Sequence, residues 1–305
     1  MHKRPLGNLQ VSVVGLGCNN FGSRLDEMAT KNVLDAALDA GVNFFDTADV
    51  YSQGESELFL GRVLKGRRNQ ILLATKFGSP YSVDLKGAHP DTIKRALPAS
   101  LKRLQMDHVD LYQLHRPDPD VPIADTIGAL TEFVKQGLVR EIGCSHFSAE
   151  QLLQAESAAS DGGSSFASVQ NEYSMLKREA RDSVLPTCDR LGIAFLPYFP
   201  LYNGLLTGKY RKGKRFPKGA RITQETRWEG HLTKENLDLI ERLATFAKAR
   251  GRELLDLAFS WILTQQSVAS VIAGATSVQQ ITRNSQAGNW TLSAEDLAEV
   301  DAILG

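Results

Sequence analysis

Cysteine is scarce in this chain. Three residues in 305, Cys18, Cys144 and Cys188, lie far apart and show no metal-ligand spacing, so neither a cysteine-built metal centre nor a disulfide framework is expected. Their sparsity fits a reducing compartment. Long apolar runs are also missing: none approaches the roughly 18 residues needed to cross a bilayer. The start, Met1-His2-Lys3-Arg4-Pro5, carries no apolar leader segment, and the expectation is a cytoplasmic protein with no membrane partner. An excess of charge is absent too. The 35 basic residues balance the 35 acidic ones, so nothing global points to nucleic acid or an anionic surface as partner. Linkers and low-complexity tracts are not seen. What remains is a chain long enough to bury a large core, read as one domain over 1–305.

What is present is alternation. After a small hairpin over Lys3 to Ser12, turning at Gly7-Asn8, short apolar runs alternate with amphipathic stretches. The runs are Val13–Gly17, Val42–Asp46, Ile71–Lys76, Val109–His115, Val139–Ser145, Ala167–Glu172, Ile193–Tyr198 and Val268–Ala273. Helical periodicity follows each, as in Asp91–Leu104, Ile123–Gln136 and Arg178–Leu191, with Lys234–Ala249 and Ala294–Leu304 to spare. Continuous apolar strands suit a sheet buried on both faces. Eight strand–helix units in about 300 residues predict a (β/α)8 TIM barrel with an N-terminal hairpin and two extra helices; a doubly wound sheet is the alternative. The stretch Phe199 to Thr233 exceeds ordinary loop length and is a candidate functional loop.

The strand ends carry the chemistry. The second ends at Asp46, with Tyr51 five residues on; the third ends at Lys76 and the fourth at His115. Neighbouring parallel strands lie about 4.8 Å apart, so these four side chains can converge at the face where barrel enzymes place their sites. Separately, Lys76 reads as a solvated lysine and His115 as a core histidine. Together they suit acid–base work: a lysine cation favours a phenolate, a carboxylate balances the lysine, and a histidine hydrogen-bonds a substrate oxygen. The set protonates a carbonyl oxygen as it becomes an alkoxide, and it lacks a nucleophile, so the carbon needs a hydride from a cofactor.

The motifs Asp46-Thr-Ala-x-x-Tyr51, Ala74-Thr-Lys76, Asp110-Leu-Tyr-Gln-Leu-His115, Gly143-Cys-Ser-His, Gln170-Asn171 and Gly274-Ala-Thr-Ser, in this order, resemble the aldo-keto reductases over nearly the whole chain. The resemblance includes potassium-channel β subunits and bacterial members. It implies a (β/α)8 barrel that reduces an aldehyde or ketone with NADPH or NADH. By that resemblance Tyr51 is the general acid, Asp46 and Lys76 tune it, and His115 orients the carbonyl. Gly17, Cys18 and Asn19 approach the nicotinamide end; Ser145, His146 (where the family commonly has Asn) and Gln170 hold its carboxamide; Tyr198 stacks on its ring. Phe199 departs from the family's small hydroxyl residue, while Pro200 and Leu201 fit. Lys209 and Arg221 clamp the pyrophosphate, within a basic run that also holds Arg211, Lys212, Lys214, Arg215 and Lys218. Gly274, Thr276, Ser277, Gln280, Arg283 and Asn284 face the adenosine end. Arg283 inclines the expectation to NADPH through its 2′-phosphate.

By position, Asn20, Phe21, Tyr81 and Trp228 are expected at the substrate-pocket mouth. Two near-matches fail. Gly15-Leu-Gly17-Cys-Asn-Asn20 lacks the third glycine of a dinucleotide fingerprint, and Gly143-Cys-Ser145-His-Phe147 lacks the final glycine of a nucleophile elbow. Besides a soluble reductase of small carbonyl compounds, two readings stay open: a cofactor-binding sensor or regulatory partner on the same fold, and a Schiff-base aldolase using Lys76.

Overall fold

A computed structural model describes residues 1–82, 85–160, 162–217, 219–224 and 226–305. The chain opens with the antiparallel hairpin β1 (Lys3–Leu6) and β2 (Leu9–Ser12), in which Leu6 faces Leu9 across the turn. Gly7 holds that turn at φ +53°, and a Cβ there would come within 2.6 Å of the Glu141 carboxyl carbon. Glu141 Oε1 instead accepts bonds from the Asn8 backbone amide at 2.7 Å and its side-chain amide at 2.9 Å.

The alternation then begins with β3 (Val14–Gly17), α1 (Glu27–Asp39), β4 (Phe44–Asp46), α2 (Glu55–Val63), β5 (Leu72–Phe77) and α3 (Pro90–Leu104). It continues through β6 (Val109–Leu114), α4 (Ile123–Lys135), β7 (Val139–Ser145), α5 (Ala149–Ala159), β8 (Ser168–Glu172), α6 (Val184–Leu191) and β9 (Ala194–Tyr198). The chain finishes with α7 (Arg221–Gln224), α8 (Lys234–Ala249), α9 (Leu254–Ile262), β10 (Val271–Gly274), α10 (Val278–Ala287) and α11 (Ala294–Leu304). Strands β3 to β10 are all parallel and close into a barrel, with β10 seated between β9 and β3. This is the (β/α)8 architecture with its N-terminal hairpin; α11 packs on α8 and α8 on α9 as additional helices. Asp26, Ser148, Thr233, Ser277 and Ser293 cap α1, α5, α8, α10 and α11 by accepting a bond from a first-turn amide.

The two-residue period of a strand sorts the core into two layers. Phe45, Leu73, Tyr112, Leu114 and Cys144 point outward against the helices. Phe44, Ala74, Leu111, Leu196 and Ile272 point inward and form a second cluster with Leu6, Leu9 and Val11 of the hairpin. The hairpin is therefore the plug at the N-terminal end of the barrel. Arg4 fastens it there, donating to the carbonyls of Leu263 and Val268, each at 2.7 Å.

Two segments differ from expectation. The helix read over Arg178–Leu191 is a 3-10 turn at Glu179–Arg181 followed by α6 from Val184. Pro186 has no amide to donate and clashes with a carbonyl four residues back, so a helix that starts just before it, at Val184, accommodates it in the first turn. The stretch 199–233 is also more ordered than a loop. It holds 3-10 turns at Tyr202–Thr207 and Thr226–His231 as well as α7, and Leu205, Leu206, Tyr210 and Ile222 are fully buried. Lys218 of its basic run lies outside the described residues.

Candidate active site

The same parity that points Phe44, Ala74 and Leu111 into the barrel points Asp46, Lys76 and Gln113 inward two residues later, at the C-terminal rim. Register completes the ring: Gly17 lies beside Asp46, Lys76 beside Gln113, Ser145 beside Gln170, Glu172 beside Tyr198, and Gly274 beside Gly17. A cavity of about 650 Å³ opens on this rim, and its wall includes Asp46, Tyr51, His115, Ser145, Gln170 and Tyr198. That size is ordinary for a small-molecule or cofactor site.

Lys76, 1% exposed, sits directly behind the wall. Its Nζ donates to Asp46 Oδ2 at 2.7 Å and the Thr47 carbonyl at 2.9 Å, and it lies 3.3 Å from the Tyr51 hydroxyl. The other Asp46 oxygen, Oδ1, accepts from Gln113 Nε2 at 3.1 Å and Gln170 Nε2 at 3.0 Å. A buried ion pair with its remaining lone pairs satisfied in this way is the arrangement that offsets desolvation. The Tyr51 and His115 rings meet edge to face at 6.0 Å.

The electrostatics assign protonation states. Burial by itself lowers the Lys76 pKa, but Asp46 and then Tyr51 counter it, and the net position is above an ordinary lysine. Lys76 therefore stays charged and is a poor Schiff-base nucleophile. For Tyr51 the expected depression by Lys76 is outweighed: burial raises the phenol above its ordinary value, with the lysine only partly offsetting it. Tyr51 is thus a protonated phenol at neutral pH. Burial, followed by the charge of Lys76, pushes His115 well below 6.5, and burial followed by Arg116 lowers His146 to about 4, so both imidazoles are neutral.

The remaining expected residues fall in different places. Ser145 Oγ donates to the Gln170 carbonyl at 2.7 Å, and the Tyr198 hydroxyl lies 3.3 Å from His146 Nδ1. Gly17, Asn19, His146, Phe199, Pro200, Leu201, Lys209, Arg221, Gly274, Thr276, Gln280, Arg283 and Asn284 lie on the wall. Partial desolvation lowers the pKa of Lys209 first, and the charges of Arg24 and Arg221 lower it further, so three cations gather at one place. The Asn203 amide beside them is buried, with neither polar atom hydrogen-bonded among the described residues. Three cations and an orphaned amide on one wall fit a dinucleotide pyrophosphate.

Other expected positions lie off this wall or on a different part of it. Cys18 is off the wall, its thiol buried and directed at the Leu16 carbonyl. Ser277 is also off it, its hydroxyl occupied in capping α10. Of the substrate-mouth set only Asn20 is on the wall, and it packs against Gly274 on the β10 side. Phe21, in the loop after β3, is wholly buried in the outer core. Tyr81 is 78% exposed and off the wall. Trp228, also off the wall, packs its ring on Phe199 at 5.7 Å and near His231 at 5.3 Å. Conversely, Gln113, Arg24, Arg116, Asn203 and Glu253 belong to the site or its support and were not singled out from sequence. Only Gln113 gave a usable signal, two residues before His115 on an inward parity.

The fold is thus a parallel barrel plugged at one end, with a buried lysine–carboxylate pair behind a tyrosine at the other. The model of the aldo/keto reductase family matches residues 13–305, and the chain belongs to that family. It is 34% identical to aldo-keto reductase YhdN of Bacillus subtilis, over 97% of this chain and 91% of that one. It is 35% identical to a probable voltage-gated potassium channel subunit beta of Oryza sativa subsp. japonica, over 100% of this chain and 97% of that one. The structure of the glycerol dehydrogenase AKR11B4 from Gluconobacter oxydans superposes with a TM-score of 0.85 at 28% identity, covering 98% of this chain and 93% of that chain. The family generally uses nicotinamide cofactors on small carbonyl compounds, which makes this chain an oxidoreductase.

Proposed function

We propose that the chain reduces an aldehyde or ketone to an alcohol with NADPH, Tyr51 serving as the proton donor. The observation that supports this reading above the rest is the Lys76–Asp46 pair, 2.7 Å apart and buried, with the Tyr51 hydroxyl 3.3 Å from the same lysine nitrogen. When bound, NADPH would supply a hydride, one proton with two electrons, for the carbonyl carbon. Tyr51 gives its phenolic proton to the carbonyl oxygen as negative charge develops there. The phenolate left behind is stabilised by Lys76, which Asp46 keeps charged and in place. His115, neutral and on the wall, donates to the same oxygen and aims the carbonyl at Tyr51.

In this reading Ser145, His146, Gln170 and Tyr198 hold the nicotinamide end and Lys209, Arg221 and Arg24 hold the pyrophosphate. Thr276, Gln280, Arg283 and Asn284 receive the adenosine end. Arg283 is ion-paired with Glu253, but both side chains are about half exposed, 47% and 59%. Exposed pairs of this kind contribute little, so exchange of Glu253 for a 2′-phosphate is readily accommodated. NADPH and NADH titrations followed by an aldehyde panel test the proposal: NADPH oxidation on adding substrate supports it, and binding without oxidation overturns it. The second outcome supports a regulatory, cofactor-sensing role instead, a reading favoured by the similarity to the rice channel subunit over the full chain.

A further inference from the structure

Arg116 follows His115 directly where β6 ends, and its exposed side chain lies on the cavity wall with His115, His146 and Tyr198. Its charge is felt by all three: it depresses both imidazoles, and it offsets part of the rise that burial and then Glu172 impose on the Tyr198 phenol. Its guanidinium therefore belongs to the catalytic end of the cavity. Among the described residues it makes no hydrogen bond and no ion pair.

The other charges on the wall have partners or lie elsewhere. Asp46 is held by Lys76, and Glu253 by Arg283. Lys209, Arg24 and Arg221 act on one another at the stretch after β9, where Lys209 packs beside Gly204. Glu172, at the end of β8, is off the wall with Lys177 beside it. His115 and His146 are neutral at pH 7. Among the described residues, the catalytic end thus presents Arg116 as a cation without an ion-pair partner, next to His115.

We propose that Arg116 selects substrates that carry a carboxylate a few carbons from the reacting carbonyl. This rests on the reductase reading above. A planar guanidinium matches a carboxylate with two parallel hydrogen bonds. A single such fork balances one carboxylate charge, whereas a phosphate dianion calls for more donors than this end offers. Adjacent residues place their Cα atoms about 3.8 Å apart, so one short molecule reaches both His115 and Arg116. The preferred substrate class is therefore a short aldehyde with a terminal carboxylate.

The test is the ratio of kcat/KM for succinic semialdehyde to that for its neutral carboxamide analogue, at saturating NADPH. The wild-type ratio is expected to be on the order of 10 to 100, the worth of a charge-assisted bond pair. In Arg116→Gln that ratio falls toward one, chiefly through KM; Arg116→Lys keeps part of it and Arg116→Glu inverts it. A merely structural role moves both substrates together and leaves the ratio intact. A wild-type ratio of one, or a ratio unmoved in Arg116→Gln, overturns the assignment while leaving the reductase reading standing. No oxidation with either compound or with any neutral aldehyde overturns both.

Discussion

Gln170 donates its side-chain amide to Asp46 at 3.0 Å, across the barrel rim from β8 to β4. The residue expected to hold the nicotinamide amide therefore also holds the carboxylate that keeps Lys76 charged. Asp46 is gripped on both oxygens, by Lys76 on one and by Gln113 and Gln170 on the other. This coupling gives the cofactor end of the cavity and the proton-donating end a shared support.

Removing the carboxylate charge exposes what the pair does. Asp46→Asn leaves the buried Lys76 cation without its counter-charge, which costs about 3–5 kcal/mol. Denaturant melts at neutral pH should show a loss of that size, together with a slower reductase reaction. The burial that already opposes the charged form then dominates, so the lysine pKa falls. A melt indistinguishable from wild type would contradict the assignment.

Asp49 makes stability depend on pH in an unusual direction. Both its oxygens are buried without a hydrogen-bond partner among the described residues. Burial, then the nearby Glu57, raises its pKa from 3.8 to about 7, against the opposing charges of Arg103 and Lys76. Between those two values the folded state holds a proton that the unfolded state has lost. The contribution of this group to stability therefore falls as pH rises from about 4 to 7, by about 4 kcal/mol in the limit. Asp49→Asn should be more stable than wild type at pH 8, and the difference should shrink toward pH 4 in melts run across that range.

The hairpin plug should matter for stability and not for chemistry. Leu6 is fully buried in the inner cluster, at the opposite end of the barrel from the site. Leu6→Ala should cost about 2–5 kcal/mol by cavity formation. At a temperature where the variant remains folded, its kcat/KM should match that of wild type; a large change would show that the two ends are coupled.

Much of this was legible in the sequence for identifiable reasons. The barrel followed from short apolar runs buried on both faces, and β7, α8 and α11 begin and end where the pattern places them. The Asp46, Lys76 and His115 trio could be read because strand parity and a shared rim bring strand ends together without knowledge of the loops. The stretch after β9 could not be read so well. Phe199, Tyr202 and Asn203 adopt φ of 52°, 44° and 58°, and aromatic residues such as Phe199 and Tyr202 carry no sequence sign of such backbone. Arg24, Arg116 and Glu253 were missed because their relevance comes from which loops meet in space. Phe21 was misplaced because nearness to Gly17 in the chain does not decide which way a side chain faces.

The central claim is that Tyr51 delivers the proton. The direct measurement is a single-turnover reaction of NADPH-loaded protein with an aldehyde, wild type against Tyr51→Phe, following loss of the reduced-nicotinamide absorbance. The hydroxyl is lost and the ring is kept, so cofactor affinity should hold while the rate falls by about 10²- to 10⁴-fold. A Tyr51→Phe protein that oxidises NADPH as fast as wild type would contradict the account.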